Sequence, residues 1–361
     1  MAYAQLQEGG RFCMERRFPA SQFKDFFIAA FEKAGVPEEQ YKPMLEALIE
    51  TSLRGVDSHG LLLIPNYIRN FLYGRVNKKP RMQFKQTAPG TGIFDADHTF
   101  GVLAGLKAME KAVELAKKNG IGAVAVINSS HFAAAGIYGL LAARNNMIGI
   151  SVTHAENLVV PYGGKRSFLG TNPFCFAAPM EGEEPFCLDM ATSPVARHRI
   201  NSYREKGIPL EPNWIVDSEG QMTTDPNKFA ALMHFGGYKG YGLALMIEIL
   251  CSTLTGMPIG IRMNKLFGDY KTHQCLGHFF IAIDISKFRD INTFKRELKE
   301  LCELLRHEEP AKGYEKVMVA GDPQKQLYAD RVKNGIPIAD VDLKKLEEFA
   351  NEIGMDFKRY F

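Results

Sequence analysis

Apolar positions recur at helical spacing near both ends of the chain and run unbroken through its middle. Ser21 is placed to cap a helix whose Phe23, Phe26, Phe27, Ala30, Phe31 and Ala34 share one face, ending at Gly35 before Pro37. A second helix is expected from Pro43 to Leu53, with Met44, Leu45, Leu48 and Ile49 as its stripe, and Tyr67 to Leu72 continues helically. The stretch from Gly74 to Gly90 is basic and turn-rich.

From Gly101 helices alternate with strands. Leu106, Met109, Val113 and Ala116 mark a helix stopped at Gly120, and Ile121 to Asn128 is a continuous apolar run suited to a buried strand. A small-residue helix from Ala133 to about Asn145 and strands at Met147–Thr153, Phe174–Ala178, Phe186–Asp189 and Phe279–Ile285 follow, with a helix from Tyr241 to Thr255. Helix returns at the C-terminus, on the faces Phe294, Leu298, Leu301, Leu304, Leu305 and Leu343, Leu346, Phe349, Ala350, Ile353. Helices at both ends of an α/β middle predict termini that pack together, with the middle inserted as a second domain.

Composition narrows the function. The 361 residues are 46% hydrophobic and 24% charged, which is ordinary globular usage and room for about two domains. Lys+Arg 44 against Asp+Glu 41 leaves +3 with no basic stripe, so nucleic acid is not an expected partner. Cys13, Cys175, Cys187, Cys251, Cys275 and Cys302 form no C-x-x-C pair and read as reduced cytoplasmic thiols. The start, Met1 to Gln5, lacks a leader's apolar core, and no apolar run is long enough to span a membrane. The Rossmann G-x-G-x-x-G, the P-loop, G-x-S-x-G and H-E-x-x-H are all missing.

Candidate chemistry lies in a few segments. His59, in Asp57-Ser58-His59-Gly60, has small polar neighbours and titrates near neutrality, so it can exchange a proton with a hydroxyl or carbonyl oxygen; a helix-terminal histidine beside a glycine turn is the plainer reading. His131 follows Ser129-Ser130 between a buried strand and a helix, where α/β folds favour ligands, or where a histidine simply fills the junction. The other histidines lack metal-ligand spacing. Asp189 ends a strand and could orient a histidine, bind a ribose hydroxyl or cap a helix. Lys239, among the glycines of Gly236 to Gly242, could hold a phosphate or carboxylate, or belong to a flexible loop. The run Arg197-His198-Arg199 with Arg204 could pair with a 2′-phosphate or form a solvated helix face.

In order along the chain, Arg54-Gly55-Val56-Asp57-Ser58-His59-Gly60, Ser130-His131-Phe132, Gly170-Thr171-Asn172-Pro173, Asp189-Met190-Ala191-Thr192-Ser193, Thr224-Asp225-Pro226, Lys239-Gly240-Tyr241-Gly242-Leu243 and Gly321-Asp322 resemble the malate/L-lactate dehydrogenases that lack a Rossmann fold. Sulfolactate, ureidoglycolate and diketogulonate dehydrogenases and piperideine-2-carboxylate reductase are relatives in that family. The resemblance implies an α/β fold with a largely antiparallel, non-Rossmann cofactor domain over 101–285, and a helical substrate and dimerisation domain from 1–100 plus 286–361. It implies hydride transfer between NAD or NADP and a 2-oxo or 2-hydroxy acid of malate or lactate type in a homodimer. A cyclic imino-acid reductase, or a binding protein that kept the fold, is the alternative. His59 resembles the acid/base, His131 a second site histidine and proton acceptor in some relatives, and Asp189 the site carboxylate. Ser58, Arg54, Thr171 and Asn172 are placed at the substrate. Ser130, Leu188, Asp189, Met190, Ala191, Lys239, Gly240, Gly321 and Asp322 are placed at the cofactor. Two departures stand out: Leu63 where many relatives carry a carboxylate-binding arginine, and Tyr238 where a histidine is common. Either another cation, Arg54 or Lys239, takes the carboxylate in its place, or the substrate differs.

Overall fold

The computed structural model describes residues 15–361; Met1 to Gln5 and Cys13, used above, lie outside the described residues. The chain runs through β1 (Glu15–Phe18), α1 (Ala20–Lys33), α2 (Glu38–Leu53), α3 (Ile64–Leu72), β2 (Gln83–Ala88) and β3 (Thr91–Asp95). It continues through α4 (Gly101–Asn119), β4 (Ile121–Ser129), α5 (Gly136–Arg144), β5 (Met147–Thr153), β6 (Phe174–Ala178) and β7 (Phe186–Met190). Next come α6 (Arg197–Lys206), the short β8 (Ile215–Val216), β9 (Met222–Thr223) and β10 (Ala231–Leu232), then α7 (Tyr238–Glu248). The last elements are β11 (Leu276–Asp284), α8 (Ile291–Arg306), α9 (Asp322–Asn334), β12 (Ile336–Ala339) and α10 (Asp340–Glu352).

Seven strands form one sheet in the order β2-β3-β4-β11-β5-β6-β7. Only the β3–β4 pairing is parallel; every other neighbouring pair is antiparallel. The fold is therefore α/β with a mixed sheet, as expected, and not a doubly wound parallel one. Late-coming β11 inserts between β4 and β5, so Phe280 is flanked by Val124 and Ser151. Ala104, Ala108, Ala112 and Ala116 let α4 lie close on the sheet, sealing a core with Val124, Val126, Tyr138 and Phe280.

A second core joins the two ends of the chain. Phe23, Phe26, Phe27 and Phe31 of α1 meet Leu45 and Leu48 of α2, Ile336 and Ile338 of β12, and Leu343, Leu346 and Phe349 of α10. Each such buried side chain contributes roughly 1.5–3 kcal/mol of apolar burial. β1 pairs antiparallel with β12, and the Phe361 ring packs 5.1 Å from Phe18 and 5.2 Å from Phe23. α8 instead faces the sheet, where Phe294, Leu298 and Leu305 border a groove with Phe176 and Phe186.

Several expectations shift. α1 starts at Ala20 after Pro19, and no side chain caps it, so Ser21 is inside the helix. α2 starts at Glu38 and carries Pro43 within it; burial of Tyr41, Met44 and Leu45 outweighs the missing amide bond. The turn-rich stretch before Gly90 contains β2, an edge strand with mostly exposed side chains and thus no apolar signal. α7 begins at Tyr238 and continues as a π-helical turn over Ile249–Thr253. Among the described residues no helix is long and apolar enough to cross a membrane.

Candidate active site

A cleft of about 1580 Å³ opens between the helical core and the sheet. Its volume exceeds the roughly 300–1,000 Å³ of ordinary small-molecule sites, which suits an extended ligand together with a small one.

His59 enters from a 3-10 turn, Asp57–His59, that follows α2. A Cβ on Gly60 would lie 2.0 Å from Ser52 Oγ, so only glycine lets the turn fold back on α2. Ser52 Oγ in turn accepts the Leu61 N–H at 2.9 Å. Arg331 of α9 pins the turn by a two-pronged pair to Asp57, at 2.5 and 2.9 Å, and also donates to the Ser52 carbonyl at 2.6 Å. On His59 itself, Nδ1 lies 2.8 Å from Ser58 Oγ.

His131 comes from the opposite wall, just beyond β4. Its ring stacks against His59 at 5.7 Å between centroids. Its main-chain N–H donates to Gln274 Oε1 at 2.9 Å, and its Nδ1 lies 2.8 Å from the Tyr67 hydroxyl. Burial and the neighbouring His59 push His131 down to about 3, so the ring is neutral near pH 7. Ala133, two residues on, holds φ at 62°, a strained conformation for a residue with a side chain.

Asp189, near the end of β7, completes the centre. Its carboxylate opens onto the cleft and accepts the N–H of Gly136, the first residue of α5, at 2.7 Å. A Cβ on Gly136 would lie 2.8 Å from that oxygen, so the approach requires glycine. Asp189 remains exposed along the cleft, yet the protein packed around its carboxyl pushes it up to about 6, against the opposing pull of the Gly136 N–H. The centre thus brings together two histidines and a carboxylate, with His131 held neutral and the Asp189 carboxyl raised, which is the equipment of acid–base chemistry. Among the described residues no group of three or more His, Cys, Asp or Glu is arranged to hold a metal.

A family model for malate/L-lactate dehydrogenase matches residues 18–347. The chain belongs to that family. It is 36% identical to a malate dehydrogenase of Pyrococcus abyssi over 94% of its length and 95% of that protein's. It is 37% identical to an L-sulfolactate dehydrogenase of Methanocaldococcus jannaschii over 93% and 97%. The solved sulfolactate dehydrogenase from Methanocaldococcus jannaschii superposes with a TM-score of 0.89 at 35% identity, covering 96% of this chain and 99% of that one. The family makes the protein a dehydrogenase of hydroxy and oxo acids that uses a nicotinamide cofactor.

The cleft of this dehydrogenase fits that cofactor. Small residues line it from both walls: Ala133 to Gly136 beside His131, Thr171, Ala191 after β7, and Gly321 before α9. Of the residues singled out from the sequence, His59, His131, Asp189, Ser58, Arg54, Thr171, Leu188, Met190, Ala191 and Gly321 line the cleft. The others are not in its lining. Ser130 Oγ accepts the Gly101 N–H at 2.8 Å and donates to Thr99 O, tying the start of α4 to the end of β4. Asn172 is fully buried and bridges Ala155 to Ala244 and Glu248, each at 3.0 Å. Asp322 accepts from Arg306 at 2.6 and 3.0 Å, which holds its carboxyl below the usual range against the effect of burial. Lys239 and Gly240 begin α7 away from the cleft lining, with Lys239 exposed. Arg54 is committed to Glu50 and Glu184, at 2.8 and 2.5 Å.

Sequence reasoning missed Arg331, Tyr67, Gln274 and Lys265. Tyr67 stood in a recognised helix, yet nothing local marked its hydroxyl as reaching a histidine 64 positions away.

Proposed function

We propose that the protein interconverts a 2-oxo acid and its 2-hydroxy acid, of malate or lactate type, with His59 as the acid/base. The observation that carries this is the facing pair His59 and His131, 5.7 Å apart in a cleft large enough for cofactor and substrate. A bound nicotinamide supplies or accepts the hydride at the substrate's C2. His59 gives a proton to the C2 oxygen in reduction and takes it back in oxidation. The Ser58 hydroxyl can donate or accept, so it stays bonded to His59 Nδ1 in either protonation state.

The substrate carboxylate needs a cation, and Arg54 is already paired. Among the Lys and Arg residues lining the cleft, Lys107, Arg144 and Lys325 are also paired, to Glu110, Glu50 and Glu183. Arg197 and Lys265 have no ion pair among the described residues. Arg197 lies 5.8 Å over the Phe229 ring, on the side beyond β7. Lys265 lines the same cleft as His131, and the segments are tied together: Asn264 donates to the His273 carbonyl at 2.8 Å, and Gln274 holds the His131 N–H. We assign the carboxylate to Lys265, in place of the arginine that Leu63 replaces.

Three further expectations belong to this reading. The division into 1–100 plus 286–361 and 101–285 is supported by the core that joins both chain ends, while β2, β3 and α8 lie with the sheet and so fall on the other side of those bounds. A homodimer is supported by the exposed apolar side chains Tyr238, Met246, Ile249 and Leu254 along α7 and its continuation, and sedimentation equilibrium tests it. Cytoplasmic placement is supported by the free thiols of Cys175, Cys187, Cys251, Cys275 and Cys302. NADH and NADPH oxidation should be assayed with oxaloacetate, pyruvate, other 2-oxo acids and a cyclic imine. Turnover of a 2-oxo acid is expected. Turnover of the imine alone selects the imino-acid reductase, and cofactor binding without any turnover selects the binding protein.

A further inference from the structure

His59 and His131 face each other but hold their protons differently. The Tyr67 hydroxyl, buried on α3, lies 2.8 Å from His131 Nδ1. Burial holds this phenol well above its ordinary range, so it keeps its proton. That O–H needs an acceptor, and among the described residues its hydrogen-bond partner is His131 Nδ1. The reverse arrangement, with Nδ1–H donating to the phenol oxygen, would leave a buried hydroxyl proton with nothing to accept it. The neutral ring therefore has its lone pair on Nδ1 and its proton on Nε2.

We propose that Tyr67 is a positioning residue that fixes His131 as the neutral Nε2–H tautomer, making His131 a hydrogen-bond donor to the substrate's reacting oxygen. Proton transfer then belongs to His59 alone. During reduction the C2 carbon gains the hydride and the C2 oxygen gains the proton of the His59 imidazolium. The His131 Nε2–H polarises that oxygen and keeps its own proton throughout.

The surroundings favour one state of His131. The titratable groups facing it are His59 from the 3-10 turn, Tyr67 from α3 and His278 from β11. His278 is bonded through both ring nitrogens, to Thr153 Oγ1 at 2.7 Å and Ser129 Oγ at 2.8 Å, and burial lowers its affinity for a proton. None of the three supplies the negative charge that would draw a second proton onto His131. The Gln274 bond to its main-chain N–H fixes the backbone from which the ring projects.

The donor role rests on the dehydrogenase reading above; the tautomer does not. The test is long-range proton–nitrogen NMR of the full-length protein labelled with nitrogen-15 histidine, with His131 assigned by its loss in His131→Asn. The expected spectrum shows His131 as Nε2–H, without titration, between about pH 5 and about pH 8. Tyr67→Phe is expected to release the ring into mixed tautomers. It should lower kcat by about 10-fold, part of the ~10²–10³ that losing such a donor costs, with cofactor affinity unchanged. An Nδ1–H spectrum of the unmodified protein, or titration of His131 within that range, overturns the proposal whether or not the variant folds. A folded Tyr67→Phe protein with an unchanged tautomer overturns it as well. If no 2-oxo acid is turned over while His131 remains Nε2–H, the dehydrogenase reading and the donor role fall, and Tyr67's control of the tautomer stands.

Discussion

The turn Asp57–His59 and the start of α7 at Tyr238–Gly240 use similar local vocabulary: a polar or basic side chain set among glycines. Their surroundings differ. The turn is closed by Ser52 and by Arg331 from a distant helix, and it delivers His59 into the cleft. The α7 start leaves Lys239 exposed on a face rich in uncovered apolar side chains. The first segment is held by contacts within the chain, whereas the second stays exposed among apolar side chains that no other element covers among the described residues. A chemical residue type becomes a site only when remote elements fix its direction and thin the water around it.

The largest effect expected from this contrast is on His59. His59→Gln should lower kcat by roughly 10²–10⁴-fold and leave cofactor binding intact, read by steady-state kinetics and by fluorescence titration. Undiminished turnover would remove His59 as the acid/base. Next is the support beneath the turn: Leu48→Ala, in fully buried α2 packing, should cost about 2–5 kcal/mol in urea unfolding. A cost near zero would mean the helical core does not carry the turn.

Lys265→Met should raise KM for the 2-oxo acid by about 10–100-fold, from a charged hydrogen bond of ~1.5–3 kcal/mol, with cofactor KM unchanged. An unchanged substrate KM would return the carboxylate to another cation.

Asp189 gives a pH signature. Its folded value of about 6 lies above the ordinary 3.8, so its contribution to stability is present below that ordinary value and is lost as pH rises towards 6. Asp189→Asn should therefore gain stability relative to the unmodified protein across that window in thermal melts. Parallel profiles would show that the carboxyl is not raised.

The smallest effect is expected at the α7 start. Lys239→Met should change unfolding stability by no more than about 0.5 kcal/mol, as surface substitutions do. Weakened cofactor binding in this variant would show that α7 meets a cleft it does not reach within one chain, and would require a second copy there.

The legible parts of the fold were those whose burial follows a simple period. β5 and β6 are short apolar runs and match expectation residue for residue. β2 was hidden because an edge strand with exposed side chains carries no alternation. α9 was hidden because its buried residues are Asp322 and Arg331, held by ion pairs rather than by an apolar stripe. The amphipathic face of α8 was legible as a pattern, yet Leu301 and Leu304 remain exposed. A helical stripe states that a face is apolar, not that this chain covers it.

The sequence by itself determined the residue types at the site, their order, and the two strand ends that carry His131 and Asp189. It also determined the family, because those short motifs recur in order along almost the whole chain. Only the tertiary structure decided which side chains share the cleft and in what protonation state. Arg331 reaches Asp57 across 274 positions and Tyr67 reaches His131 across 64, distances over which local pattern carries no information. The lowered His131 and raised Asp189 follow from the displacement of water by atoms of many elements at once, and that exists only once the chain has folded.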